Sequence, residues 1–206
     1  LCDGETGTWI PTQVVVPNDL TSRDNFGTDI ALLGDTLVVG SRRDDDRGSD
    51  TGSVYIFRRV GGTWTQVDKI LPGDADRLDQ HGKSVGITNG DGDTLVAFGS
   101  PGDDDVASAA GAGYVFRRTS GETFFFRAKL TTTNTTGGDG LGHAIDLFGP
   151  KVLISSTLSD IQGRDTGTSF LFRDTIGNGT YTLAPADVIN FPPPVQRNDR
   201  FGEDVA

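Results

Sequence analysis

The sequence predicts an all-β protein built of repeated four-stranded antiparallel sheets, and three observations predict it. No stretch carries apolar residues at i, i+3, i+4 and i+7 over three turns, so a helical bundle is excluded. Glycine supplies 29 of the 206 residues and hydrophobic content is 34%, the composition of short strands joined by many turns. The chain also repeats itself: Asn25-Phe26-Gly27-Thr28-Asp29-Ile30-Ala31 returns as Arg200-Phe201-Gly202-Glu203-Asp204-Val205-Ala206.

Degenerate copies lie between, at Gln80-His81-Gly82 and Gly140-Leu141-Gly142, so the marker glycines 27, 82, 142 and 202 are spaced by 55, 60 and 60 residues. A second register is stricter. Gly40, Gly52 and Phe57, then Gly99, Gly111 and Phe116, then Ser155, Gly167 and Phe172 keep steps of 12 and 5. Trp9 and Trp64 each stand 18 residues before a marker glycine. A fixed period of this length is the signature of a repeat architecture.

Within the first unit the strands are expected at about 28–33, 36–42, 53–59 and 63–71, with Gly34-Asp35 and Gly61-Gly62 supplying the positive-φ residues of tight hairpins. On the third strand Tyr55 and Phe57 point to one face and Val54 and Ile56 to the other, so both faces are apolar and both need a cover. Four-stranded sheets arranged as the blades of a β-propeller cover each other and leave only short edges. The expected divisions are 1–25, an outer strand of a preceding blade; 26–80, 81–140 and 141–200, three complete blades; and 201–206, the start of the next. That makes about three and a half blades, a part of a larger propeller.

The phrases Phe26-Gly27-Thr28-Asp29-Ile30-Ala31, Leu37-Val38-Val39-Gly40-Ser41 and Gly52-Ser53-Val54-Tyr55-Ile56-Phe57 resemble the FG-GAP repeat, the blade unit of integrin α-chain propellers and of many secreted proteins. Phe98-Gly99-Ser100-Pro101 stands in the Gly-Ala-Pro slot of the second copy. The third copy departs from the pattern, with Leu141 for the Phe and Ser155-Ser156-Thr157 for Gly-Ala-Pro. The resemblance implies an extracellular propeller with calcium held in the hairpin between first and second strands. That hairpin is shortened in the first and third copies. In the second, Asn89, Asp91 and Asp93 remain, while Ile87 holds the place of the first Asp.

Composition narrows the partners. The net charge is −11 and no Lys/Arg stripe is present, so nucleic acid is not an expected partner. No apolar run is long enough to span a bilayer. Cys2 is the only cysteine and is expected either to pair outside this segment or to stand as a free thiol. Sequons at Asn134-Thr135-Thr136 and Asn178-Gly179-Thr180 point to the secretory route and to a secreted or cell-surface location.

Acidic residues gather on one rim. Asp44-Asp45-Asp46, Asp103-Asp104-Asp105 and Asp160 occupy equivalent loops between second and third strands, and Asp50 and Asp165 precede the Gly that opens the third strand. Such clusters suit Ca²⁺, which takes six to eight oxygens, and suit turns equally, because Asp bonds its local backbone. Asp44, Asp46 and Asp50 therefore join Asn89, Asp91 and Asp93 as candidate metal ligands. His81 and His143 sit at repeat positions rather than in a catalytic constellation. Trp9, Trp64, Phe124–Phe126 and Tyr181 are expected on fourth strands, in the core between blades, and Pro192-Pro193-Pro194 as a stiff loop. The expected role is a non-catalytic extracellular module for adhesion, for protein or glycan binding, or for building a surface coat or filament from further copies of itself. The alternative is an accessory propeller of a secreted hydrolase, phospholipase or lyase.

Overall fold

The structure, a computed structural model, describes residues 11–90, 92–174, 177, 180–184, 187–190, 192, 194 and 196–205. Cys2, Trp9, Asp91, Asn178 and Pro193 lie outside them.

Three antiparallel sheets follow one another along the chain, and no α-helix occurs among the described residues. The first runs β1 (Phe26–Leu33), β2 (Thr36–Ser41), β3 (Ser53–Val60) and β4 (Thr63–Ile70), in that spatial order. The second repeats it with β5 (Val85–Gly90), β6 (Asp93–Ser100), β7 (Ala112–Arg118) and β8 (Phe125–Leu130). The third has β9 (Ile145–Phe148), β10 (Lys151–Ser156), β11 (Thr168–Asp174), β12 (Tyr181–Thr182) and β13 (Val188–Asn190). Both β12 and β13 pair with β11, at its opposite ends. A register shift interrupts β3–β4 after Ile56 and β7–β8 after Val115, the equivalent place, and in the third sheet β12 and β13 are separate partners of β11 on either side of Leu171.

The sheets stack face to face in the manner of propeller blades, and the core lies between them rather than within any one. Val38, Val54 and Ile56 of the first sheet pack with Val85, Val96, Phe98, Tyr114 and Phe116 of the second. Leu95, Ala97 and Val115, on the second sheet's other face, pack with Ile145, Leu147, Val152, Ile154, Phe170 and Phe172 of the third. Tyr55 and Phe57, on the face away from the second sheet, are covered by Val15, Phe26 and Trp64. A side chain of this size contributes roughly 1.5–3 kcal/mol when fully buried, so stacking the sheets is what stabilises each one.

The marker glycines 82, 142 and 202 owe their place to this stacking. Gly82 opens the second blade at φ +79 with its backbone against Gly40, and a Cβ on Gly40 would overlap the Gly82 carbonyl. Gly99 meets Gly142 in the same way one blade later. Parallel bridges Gly52–His81 and Gly111–Leu141 tie the start of each blade to the third strand of the one before. Phe201 N donates to Thr166 O at 2.9 Å, as His81 N does to Thr51 O and Leu141 N to Ala110 O, so residues 200–202 dock on the third sheet as 80–82 and 140–142 dock on the first and second.

Residues 11–25 form no strand, and Trp9, in the outer strand expected over 1–25, lies outside the described residues. Their contact with β4 runs through side chains, Gln13 bonding Trp64 N and O and Gln66 accepting from Asn18 N. Pro11 and Pro17 have no amide hydrogen to give to a ladder. Of the aromatic run 124–126, only Phe124 is in the core, and Phe125 and Phe126 are exposed.

Candidate functional site

Two ionic clusters dominate the rim formed by the second-to-third-strand loops, and sequence reasoning missed their central residue. In the first sheet, Lys69, the last residue but one of β4, stands opposite Tyr55 on β3. The Lys69 ammonium lies 2.9 Å from Asp44 Oδ2, 2.6 Å from Asp46 Oδ2 and 2.8 Å from Asp19 Oδ2, and 4.8 Å from the centre of the Tyr55 ring. Tyr55 donates its hydroxyl to Asp44 Oδ2 at 2.7 Å, and Ser53 Oγ donates to the same oxygen at 2.9 Å. The second sheet repeats the arrangement: Lys129 reaches Asp103 at 2.7 Å, Asp105 at 2.6 Å and Asp74 at 3.0 Å, over the ring of Tyr114, whose hydroxyl donates to Asp103. Asp74 belongs to the connection from the first blade, so this cluster joins two blades.

The carboxylates converge because their own backbone folds them inward. Asp44 Oδ1 accepts from Asp46 N and Asp103 Oδ1 from Asp105 N, the local turn to which Asp is suited. Asp44 and Asp103 are buried while Asp46 and Asp105 stay half exposed at the loop tips.

Electrostatics makes these clusters cross-links rather than reactive groups. Burial alone would depress the Lys69 amine, but hydrogen bonds with Asp19, Asp46, Tyr55 and Asp44 outweigh it and hold the ammonium above its ordinary range; Lys129 behaves alike. Burial pushes both phenols up, and Asp44 and Asp103 add to the effect. Burial opposes ionisation of Asp44, yet Lys69, Tyr55 and Ser53 hold its carboxyl below the usual range. A protonated amine and a protonated phenol are neither bases nor nucleophiles at neutral pH.

The candidate metal ligands are thus distributed as follows. Asp44 and Asp46 share the Lys69 ammonium where a hard cation is expected from the sequence, because the lysine arrives from a strand more than twenty residues away. Asp50 lies 3.9 Å from Arg43 and outside this cluster. Asn89 Oδ1 accepts from Thr94 Oγ1, and Asp93 lies 3.3 Å from Arg117. Among the described residues, no group of three or more His, Cys, Asp or Glu side chains is placed to hold a metal ion. His81 is buried between blades, edge-on to Phe98 and Tyr114, with Nδ1 bonded to Ser100. His143 lies near Glu203, and burial, then Lys83, lowers its proton affinity.

The third sheet lacks the cluster. Phe170 and Val188 pair where the other sheets pair Tyr with Lys, and Ser159 takes the place of Asp44. Asn134 stands where Asp19 and Asp74 stand, each five residues before the Asp of a recurrent turn, and it is exposed. Those turns are alike: Thr21, Asp76, Thr136 and Gln196 each donate their amide, at 2.6 Å, to Asp24, Asp79, Asp139 and Asp199.

No curated protein matches the chain. The FG-GAP repeat family model matches residues 9–57 and 64–116, the stretches that contain the two Tyr–Asp pairs and the Gly40–Gly82 contact between blades. Such repeats form a β-propeller-like module typical of integrin-like proteins, and the three stacked antiparallel sheets, two of four strands and one of five, are consistent with that architecture. The chain belongs to the FG-GAP repeat proteins.

Proposed function

We propose that this chain is a non-catalytic extracellular β-propeller module whose work is binding, in adhesion, in protein or glycan recognition, or in assembly of a surface coat. The observation that carries the reading is the form of the lysine-clamped rim. Asp45, Asp104 and Asp160 sit exposed at the tips of three equivalent loops, and the first two loops are fastened beneath their tips by Lys69 and Lys129. Loops fixed in this way lose little conformational entropy on meeting a partner, which favours recognition over a large face. Asn134, exposed in a sequon on the third unit, is an acceptor for a glycan on the secretory route.

The test is binding of the purified chain to immobilised extracellular-matrix proteins and to a glycan array, beside an Asp45→Lys/Asp104→Lys/Asp160→Lys variant. Saturable binding that the variant loses by ~10-fold or more, with an unchanged melting temperature, supports the proposal. Absence of binding on both surfaces, or binding indifferent to the rim charges, overturns it. The secretory assignment is read separately: expression in a secreting eukaryotic cell should give a glycosidase-sensitive mass shift that Asn134→Gln removes or reduces.

A further inference from the structure

The opposite rim, where the hairpins lie, carries an unbalanced positive site between the first two blades. Arg58 leaves β3 towards the second blade, and Arg118 leaves β7 towards the first. Both donate to one acceptor, Thr36 Oγ1, at 3.1 and 3.5 Å, and Arg118 also donates to Thr94 Oγ1 at 3.3 Å. Together with Asn89 these side chains line a cleft of about 330 Å³. Among the described residues, one carboxylate attends the two guanidinium groups. Glu122 stands 3.4 Å from each, beyond the 2.7–2.9 Å of a good charge-assisted hydrogen bond, and is itself 46% exposed. Arg58 Nε is buried and has no hydrogen-bond partner. Burial and then the neighbouring Arg58 lower the proton affinity of Arg118, the mark of two like charges held together.

The next junction serves as an internal control. There Arg117 takes the place of Arg58, Leu95 that of Thr36 and Asp174 that of Arg118, by strand register. Arg117 meets Asp93 at 3.3 Å and Arg127 meets Asp174 at 3.0 Å, so the charges balance, and the space between them shrinks to about 30 Å³. The first junction instead keeps its space, its hydroxyls and, among the described residues, one positive charge in excess, in a chain of net charge −11. Guanidinium groups offer planar pairs of N–H donors that match tetrahedral oxyanions, and hydroxyls complete such a shell. The volume is at the small end of ligand pockets and fits an oxyanion with one ring attached.

We propose that the cleft lined by Thr36, Arg58, Thr94 and Arg118 binds a tetrahedral oxyanion, the sulfate or phosphate monoester of a small sugar-sized ligand. This site is independent of the acidic rim and of the binding role assigned to it.

The experiment is a titration of the whole chain with sodium sulfate, sodium phosphate, glucose 6-sulfate and glucose 6-phosphate at constant ionic strength. The readout is the NMR shift of the Arg58 and Arg118 side-chain Nε–H groups. Saturable shifts are expected, with the preferred ester identifying the source as sulfated or phosphorylated. Arg58→Gln should weaken binding by ~10-fold or more, as expected for loss of hydrogen bonds to a charged group. Glu122→Gln should tighten it several-fold, because the competing carboxylate is gone, and a gain of affinity cannot arise from misfolding. No saturable shift with any of the four, binding unaffected by Arg58→Gln, or weaker binding in Glu122→Gln each overturns the assignment.

Discussion

Replacing Lys69 by valine should destabilise the protein by about 3 kcal/mol, and replacing its partners as well should restore much of the loss. The magnitude follows from exposure. Asp19 and Asp46 are 40% and 46% exposed, so each pair contributes at most about 1 kcal/mol. Asp44 is 2% exposed, and removing the partner of a buried ion costs about 3–5 kcal/mol when nothing else supports it. Tyr55 and Ser53 still donate to Asp44, which brings that part down to about 2 kcal/mol. The third blade shows the apolar alternative, with Ser159, Phe170 and Val188 at the same places. The variant Asp44→Ser/Tyr55→Phe/Lys69→Val copies that set and leaves no buried charge behind. It should cost less than half of what Lys69→Val costs alone, since well-packed apolar groups often equal a buried ion pair. Urea unfolding followed by tryptophan fluorescence measures both, with comparison valid where the m-value is unchanged. A single substitution costing under about 0.5 kcal/mol, or a triple variant no better than the single, refutes the reasoning.

Three further outcomes follow from the same geometry. Millimolar CaCl₂ or EDTA should leave the melting temperature of the native chain unchanged within about 1 °C, whereas Lys129→Val, which strips the ammonium from Asp74, Asp103 and Asp105, should gain a calcium-dependent rise; strong calcium stabilisation of the native chain would contradict the clamp. Gly99→Ala should destabilise by about 1–3 kcal/mol or more, because its Cβ overlaps the Gly142 carbonyl, while Gly73→Ala, with open space around it, should be nearly neutral; equal effects in thermal melts would refute the account of the marker glycines. The clamps' contribution to stability should fall away at both pH extremes. Asp19, Asp44 and Asp74 are held below 3.8, so their share is full above that value and lost as pH falls through their lower folded values; Lys69 and Lys129 are raised above 10.5, so theirs is full below it and lost as pH rises through the higher ones. Melting curves of the native chain against the triple apolar variant should show this difference vanishing at both ends, and a difference that persists unchanged at pH 2 or changes sharply near pH 7 would count against it.

Much of the fold was legible because the strand signals are local. The alternation of Val54, Tyr55, Ile56 and Phe57 and the glycine pairs at the hairpins place β1 to β4 within two residues of expectation. The site was less legible because its parts lie on different strands. Asp44-Asp45-Asp46 is a conspicuous run, so the charge was visible, but its counter-charge enters from β4. A signal was present: Lys69 and Lys129 recur at an interval of 60, close to the 59 that relates Tyr55 to Tyr114 and Asp44 to Asp103. The lysines thus recur with nearly the same period as the glycines and aspartates, which marks an ammonium rather than a metal as the partner of Asp44 and Asp103.

The repeat is conserved in backbone more strictly than in residue type, which explains why its third copy read as degenerate. Arg23, Leu78, Gly138 and Asn198 all adopt positive φ, between 67 and 92, and so do Asn25, Gln80, Gly140 and Arg200, between 52 and 65. Leucine, glutamine and arginine do not advertise such a conformation in sequence, since only glycine, asparagine and aspartate enter it readily. Each is held there by what surrounds it: Leu78 N bonds Ser49 O and Gln80 N bonds Asp50 O, as Gly138 and Gly140 bond Ser108 O and Ala109 O one blade later. From residue 78 onward these left-handed turns are therefore held by docking on the preceding sheet, and a blade can replace its phenylalanine by His81 or Leu141, or its whole ionic cluster by Ser159, Phe170 and Val188, while the junction keeps its path. That freedom is what lets one junction in the same scaffold balance its arginines with Asp93 and Asp174 and the other leave Arg58 and Arg118 facing an open cleft.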